Sequence, residues 1–280
     1  VHDVNQVAWL VELPTSASAE VAHAETLRAV RALSEGLRSR LSFRVPRLAG
    51  TTEVGQHTLS VCEYLPGQAP SAHKVTPILA ASIGTALAQI HSLPTSSVQD
   101  FDRPAESAID SLRECAGIVD RAAATGLIPQ ALLRRWETAC EDSSLWQFEP
   151  TVIHGLMQLG HLLVENENVV AVDQWRDFRV GDPARDLAWL TTPAASGFHM
   201  AVVTSYRSAR TSADRWVMQR ARFYAELDVA KWLLHGMDSH NETITEDATE
   251  MLSALHDRVS GDMDQALTQP ISQAKHPLEN

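Results

Sequence analysis

Residues 154–190 read HGLMQLGHLLVENENVVAVDQWRDFRVGDPARDLAWL, and this run decides the fold. A His154-Gly155 turn leads into the apolar stretch Leu162-Leu163-Val164. The polar E-N-E-N of residues 165–168 makes a tight turn, and Val169 to Val172 is a second β-prone stretch. Asp182-Pro183 places a capping acid before a proline at the first helical position, which predicts a helix over 183–191. A strand pair is expected at 151–154 and 162–173.

The N-terminal side is mixed. VAWLVEL at residues 7–13 is apolar and β-prone and ends at Pro14. Val21, Leu27, Val30, Leu33, Leu37 and Leu41 recur at helical spacing, with Ser16 or Ser18 available as a cap. RVPRLAG and HTLSVCEYLPG give two more strands, the second running into the hinge Pro66-Gly67. Residues 1–66 are therefore expected to form a small α+β lobe. Residues 67–267 are expected to form a large helical lobe around the strand pair at 151–175. Its helices are read at 76–92 (Thr76 cap, Pro77 first), 104–125, 129–141, 196–209, 212–236 and 244–266. The polar tail 268–280 is expected to be flexible. There is no internal repeat.

Composition narrows the function. The chain has 280 residues, 44% hydrophobic, with a formal net charge of −12. That balance excludes a nucleic-acid binder and an anionic membrane surface, and it repels a free nucleotide unless the site is locally basic. Lysine occurs at positions 74, 231 and 275, so the first 73 residues hold none. Cys62, Cys115 and Cys140 are widely spaced, which reads as reduced thiols and not as a disulfide frame or zinc site. No apolar run reaches roughly 18 residues, and no signal-peptide pattern opens the chain. A cytoplasmic protein is expected.

The run His154-Gly155, His161-Leu162-Leu163-Val164, Trp175, Val180, Asp182-Pro183-Ala184 and Asp186 resembles the aminoglycoside phosphotransferase family, especially its macrolide phosphotransferase branch. VAWLVELP resembles that family's nucleotide-lysine strand, Glu25 its helix acid and CEYLPG its inter-lobe linker. The resemblance implies a two-lobed, protein-kinase-like α+β fold with a small N-terminal sheet lobe, truncated at its start, and a large helical C-terminal lobe.

The departures fall on the chemistry. By the resemblance, an Asp belongs two residues after His154 to orient the acceptor hydroxyl. Leu156 stands there, and it has no acceptor atom. A metal-binding Asp belongs where Gln174 stands, and a neutral amide is a weak magnesium ligand. Asp173 lies one residue away, and strand alternation points it to the opposite face. The nucleotide lysine is replaced by Glu12, which repels phosphates. Arg28, Arg31 and Arg47 are the nearest basic candidates to substitute. Glu25 is then expected to face another acid, both being solvated. Six residues precede the first strand, so the phosphate-covering hairpin is expected to be missing.

Asp182 is read as a structural cap and Asp186 as a brace for the loop at His154. His161 matches the macrolide branch, where a His lies by the metal. His57, His73, His91, His199, His235, His240 and His256 show no metal spacing. Trp189, Phe198, Tyr206, Trp216, Phe223, Tyr224 and Trp232 are read mainly as core, in the half where the family binds its acceptor.

No catalytic residue and no cofactor is therefore expected. The leading reading is a catalytically impaired, pseudokinase-like homologue that binds a small molecule or an unknown protein partner, not nucleic acid or membrane. The alternative is an active, atypical kinase moving a nucleotide γ-phosphate to a hydroxyl of a macrolide, aminoglycoside or related metabolite. It would use magnesium, ATP or GTP, and Asp173 with His161 as metal ligands. A third reading is a scaffold subunit whose acidic surface docks a basic partner.

Overall fold

The computed structural model describes residues 1–99, 103–210, 212, 214–260 and 267. The expected tail 268–280 and the end of the helix read at 244–266 lie outside the described residues. So does part of the segment around 212. The chain separates into two compact units: residues 1–107 with 149–213, and residues 108–148 with 214–280. The boundary read at 66/67 lies inside the first of them.

The first unit opens with β1 (Trp9–Glu12), α1 (Ala17–Ala32), the one-turn α2 (Glu35–Arg38), β2 (Leu48–Val54) and β3 (His57–Glu63). The antiparallel order is β1-β3-β2, with Glu12 opposite Ser60 and Leu10 opposite Cys62. Ser16 caps α1 by accepting from the Ala19 N–H. Leu27, Val30, Leu33 and Leu37 are buried as their spacing predicts, but Val21 is exposed. The residues before β1 turn back on themselves. His2 bridges Ala8 around a turn at Asp3, whose carboxylate accepts from the Asn5 and Val7 N–H groups. The residues before β1 thus form a short hairpin without glycine.

The same unit continues with α3 (Pro77–His91), where Thr76 caps the helix and Pro77 starts it, and α4 (Ser96–Gln99). Ile83, Leu87 and Ile90 put one face of α3 into the core. At Gly84 any side chain would overlap the Val202 carbonyl oxygen, so α3 lies directly on the later helix α7.

The second unit holds α5 (Ala108–Ala124) and α6 (Gln130–Glu141). Back in the first unit, β4 (Thr151–Ile153) precedes β5 (Leu162–Glu165), β6 (Asn168–Val172) and β7 (Arg179–Gly181). The expected pair 151–154 with 162–173 does not form. β4 pairs with β7, and β5 pairs with β6 through the turn at Asn166-Glu167, both residues left-handed. The helix read at 183–191 is a run of 3₁₀ turns capped by Asp182, which accepts from the Ala184 N–H. α7 (His199–Ala209) closes the unit.

In the second unit, α8 (Val217–Asp238) lies against α5 and against α9 (Glu242–Val259). Its buried polar centre is Glu226, which accepts from Arg135 at 2.9 Å and from the Trp136 indole N–H at 2.9 Å. Phe198, Tyr206, Trp216, Phe223 and Tyr224 are buried as read; Trp232 is exposed. Cys62, Cys115 and Cys140 are free thiols. Among the described residues no helix is long and apolar enough to cross a membrane.

Candidate functional site

The turn after β4 is fixed by one carboxylate. Asp186, fully buried, accepts the His154 N–H at 2.7 Å and the Gly155 N–H at 2.8 Å. Gly155 is left-handed at φ 87°, and a side chain there would overlap the Asp177 carbonyl oxygen. Only glycine fits without strain.

A chain of hydrogen bonds stands behind Asp186. Arg210 donates to the Tyr206 hydroxyl at 3.0 Å, Tyr206 lies 2.9 Å from His91 Nδ1, and His91 Nε2 lies 3.1 Å from Asp186. The consistent tautomer has Nε2–H donating to Asp186 and Nδ1 accepting from the tyrosine. Burial lowers the His91 pKa, so its ring stays neutral. Burial alone would raise the Asp186 carboxyl. The hydrogen bonds from the His91 ring and from the His154 backbone N–H outweigh it and hold Asp186 below the usual range.

His154 is also fully buried, and burial lowers its pKa. Its Nε2 donates to the Asp173 carbonyl oxygen at 2.7 Å, while Nδ1 accepts the Leu156 N–H at 3.3 Å. The ring packs against Trp175, itself fully buried, at 4.8 Å. This imidazole orders the backbone on both sides and has no nitrogen left for chemistry.

His161 stands at the start of β5. Its Nε2 lies 2.7 Å from Gln158 Nε2, and its Nδ1 is buried without a hydrogen-bond partner. Burial lowers its pKa, so the ring is neutral. Its ring centre lies 5.6 Å from that of His154.

The β6 end carries the largest correction. Gln174 is left-handed at φ 65°, which ends the strand and breaks the alternation. Asp173 and Gln174 consequently line the same cavity, where opposite faces were expected. Asp173 is half-buried, and its Oδ1 accepts the Gln174 N–H at 2.7 Å.

That cavity measures about 610 Å³. Its walls are β1 with Leu10 and Glu12, α1 with His23, Leu27 and Val30, and β3 with Cys62 and Glu63. Asp173, Gln174, Trp175 and Arg176 close it. Glu12, at the expected lysine position, is therefore in the cavity, and it is exposed. The Cys62 thiol is pushed up to about 11, by burial first and then by the Glu12 and Asp173 carboxylates.

Glu25 does not face Glu12. It pairs with Arg28 and, at 3.3 Å, with Arg103. Arg103 also donates to the Phe178 carbonyl at 2.7 Å and to the Arg176 carbonyl at 2.9 Å. The hydrogen bond from Arg28, and then Arg103, hold Glu25 below the usual carboxylate range. Of the proposed basic substitutes, Arg28 is thus spent on Glu25, and Arg47 pairs with Glu35 and Glu63. A second cavity of about 620 Å³ lies by the linker, lined by Arg44, Tyr64, Gln68, Val164 and Glu165. It holds the hinge Pro66-Gly67 and Val164 but none of the residues read as catalytic, metal or nucleotide positions.

Sequence reading missed His91 as the Asp186 partner, Arg103 as the Glu25 partner, and His23 in the cavity. His91 ends an apolar helix face and His23 shares the α1 spacing, so burial of both was readable. Nothing in the sequence marked Arg103.

The phosphotransferase enzyme family, compared by its sequence profile, matches residues 1–224. Among curated proteins none matches. Solved structures are similar over most of the chain. A macrolide 2'-phosphotransferase from Brachybacterium faecium is 20% identical, covering 90% of this chain and 86% of that one, with a TM-score of 0.73. A type I macrolide 2'-phosphotransferase is 23% identical, covering 89% and 84%, with a TM-score of 0.72. A GDP complex of wild-type aminoglycoside 2'-phosphotransferase-IIIa is 14% identical, covering 88% and 85%, with a TM-score of 0.72. These likenesses give the fold: α+β and kinase-like, with a small sheet lobe and a helical lobe.

Proposed function

Since this chain belongs to the phosphotransferase enzyme family, we propose that it uses the family's scaffold for binding, with γ-phosphoryl transfer impaired. In this reading residues 1–66 are the nucleotide lobe, residues 67–267 the helical lobe and 268–280 a flexible tail. One observation carries the reading. Asp186 clamps the His154-Gly155 turn, and the residue that this ordered turn supplies at the base position is Leu156. A hydrocarbon accepts no proton and orients no hydroxyl. The loop is intact while its chemical group is missing.

The other positions agree. A magnesium nucleotide needs carboxylates for the cation and a cation for the phosphates. Glu12, Glu63 and Asp173 line the cavity together with one guanidinium, Arg176. Three carboxylates against one guanidinium repel a triphosphate, which supports impaired transfer.

A second reading has its own support. Asp173 shares the cavity with Gln174, so a carboxylate stands beside the expected metal position. Family membership, and the GDP-bound aminoglycoside phosphotransferase of similar fold, support an atypical kinase acting on a hydroxylated small molecule. Asp173 and His161 would then be its candidate metal ligands.

Labelled-phosphate transfer separates the two. The chain is incubated with magnesium, γ-labelled ATP or GTP, and a macrolide or an aminoglycoside. Impaired transfer gives label incorporation no higher than the protein-free control. Incorporation by the native chain that disappears in Asp173→Asn establishes the second reading instead.

A further inference from the structure

We infer that Arg210, at the end of α7, is a binding site for one oxyanion, a carboxylate or phosphate group held on the open edge of its guanidinium. The site shares no residue with either cavity. It stands whether or not the chain transfers phosphate.

Three observations combine. The first is burial without a counter-ion. Four arginines are buried among the described residues: Arg103, Arg135, Arg210 and Arg220. Arg103 holds Glu25 at 3.3 Å, Arg135 holds Glu226 at 2.9 Å and Arg220 holds Asp214 at 3.0 Å. Arg210 is 8% exposed and has no carboxylate within ion-pair distance among the described residues. Buried charges are ordinarily paired. The carboxylate it is linked to, Asp186, lies beyond Tyr206 and His91.

The second is the edge left open. Nη1 donates to the Tyr206 hydroxyl at 3.0 Å, and Tyr206 is itself fully buried and bonded to His91. The guanidinium is thereby oriented in advance, which lowers the cost of ordering it around a ligand. Nε and Nη2 carry no hydrogen bond among the described residues. Neither is a buried unpartnered atom, so both reach the surface. These two N–H groups are the pair that takes a carboxylate or phosphate side-on through parallel bonds.

The third is the surrounding charge. Arg207 lies one helical turn earlier, half-buried, with neither an ion pair nor a side-chain hydrogen bond among the described residues. Residues three apart are neighbours on a helix surface. A helix C-terminus carries about half a negative charge. The ends of α7 and of α3, which His91 closes, thus offset about one of the two positive charges. The remainder favours an anion, in a chain whose net charge is −12.

The test is calorimetric titration of the full chain with inorganic phosphate and with acetate, in chloride buffer of matched ionic strength. At least one of the two is expected to bind in a one-to-one ratio, and the tighter of them names the group. Arg210→Lys keeps the charge and loses the fork, so it should weaken that binding about tenfold. Its ammonium still donates to Tyr206, so its thermal midpoint in chloride should hold. Arg207→Gln should weaken binding several-fold, and it decides the matter if the lysine variant fails to fold. Absence of binding by both oxyanions overturns the inference. So does binding that Arg210→Lys leaves unchanged in a folded protein, or, where that variant does not fold, binding that Arg207→Gln leaves unchanged.

Discussion

The Asp186 carboxylate, fully buried, lies 2.7 Å from the backbone nitrogen of His154, thirty-two residues earlier in the chain. Its second oxygen takes the next N–H, at Gly155, and His91 holds it from behind. Removing it strands two buried donors, each costing about 1–3 kcal/mol. Asp186→Ala is therefore expected to destabilise the first unit by roughly 3–5 kcal/mol. Asp186→Asn should cost less, because its amide oxygen still accepts one N–H. Chemical denaturation of the three proteins checks this. An alanine variant within 1 kcal/mol of the native chain would sink the idea that Asp186 holds the loop.

Gly155 tests the same loop from the backbone side. Its φ of 87° and the Asp177 carbonyl against it leave no room for a methyl group. Gly155→Ala should cost at least about 2 kcal/mol, since a strained left-handed residue alone costs of order 1–3 kcal/mol. Gly160, five residues on, has open space around it, and Gly160→Ala should be close to neutral. Equal thermal midpoints for the two variants would contradict the assigned geometry.

The loop was legible in the sequence because its parts are local. His-Gly and D-P-A-x-D name a turn and a capped helix start within short windows. β1, β3 and α3 were readable for the same reason. The pairing of β4 with β7 was not, because it joins Ile153 to Arg179 across a whole hairpin, and pairing partners leave no local mark. The face of Asp173 was misjudged for a related reason. Strand alternation assumes extended backbone, and the left-handed Gln174 ends it. Arg103 holds Glu25 by a contact 78 residues apart, with no periodicity or motif to announce it.

The buried histidines set a pH dependence. Burial lowers the pKa of His91 and of His154. In the unfolded chain a histidine takes up its proton near pH 6.5. Below that pH the unfolded state binds more protons than the folded state, and stability falls by about 1.4 kcal/mol per pH unit for each histidine. Above it their contribution is complete. Asp186, held below its ordinary range, adds a further loss only at more acidic pH, as its carboxylate protonates. Denaturation midpoints should be flat from pH 8 to 7 and then decline toward pH 5.5. Unchanged midpoints down to pH 5.5 would mean that these rings accept protons while folded.

Arg103 and Glu25 separate a buried anchor from an exposed ion pair. Arg103 is 6% exposed in its side chain and donates to two carbonyls as well as to Glu25. Glu25 is 40% exposed and keeps Arg28 when Arg103 is lost. Solvent screens that pair, so Glu25→Gln should cost less than about 1 kcal/mol. Arg103→Ala leaves the Arg176 and Phe178 carbonyls without their donor and should cost roughly 2–4 kcal/mol. Both carbonyls belong to the segment that presents Trp175 and Arg176 to the cavity. If Glu25→Gln proves the more damaging of the two, the ion pair and not the backbone anchor holds α1 to this segment.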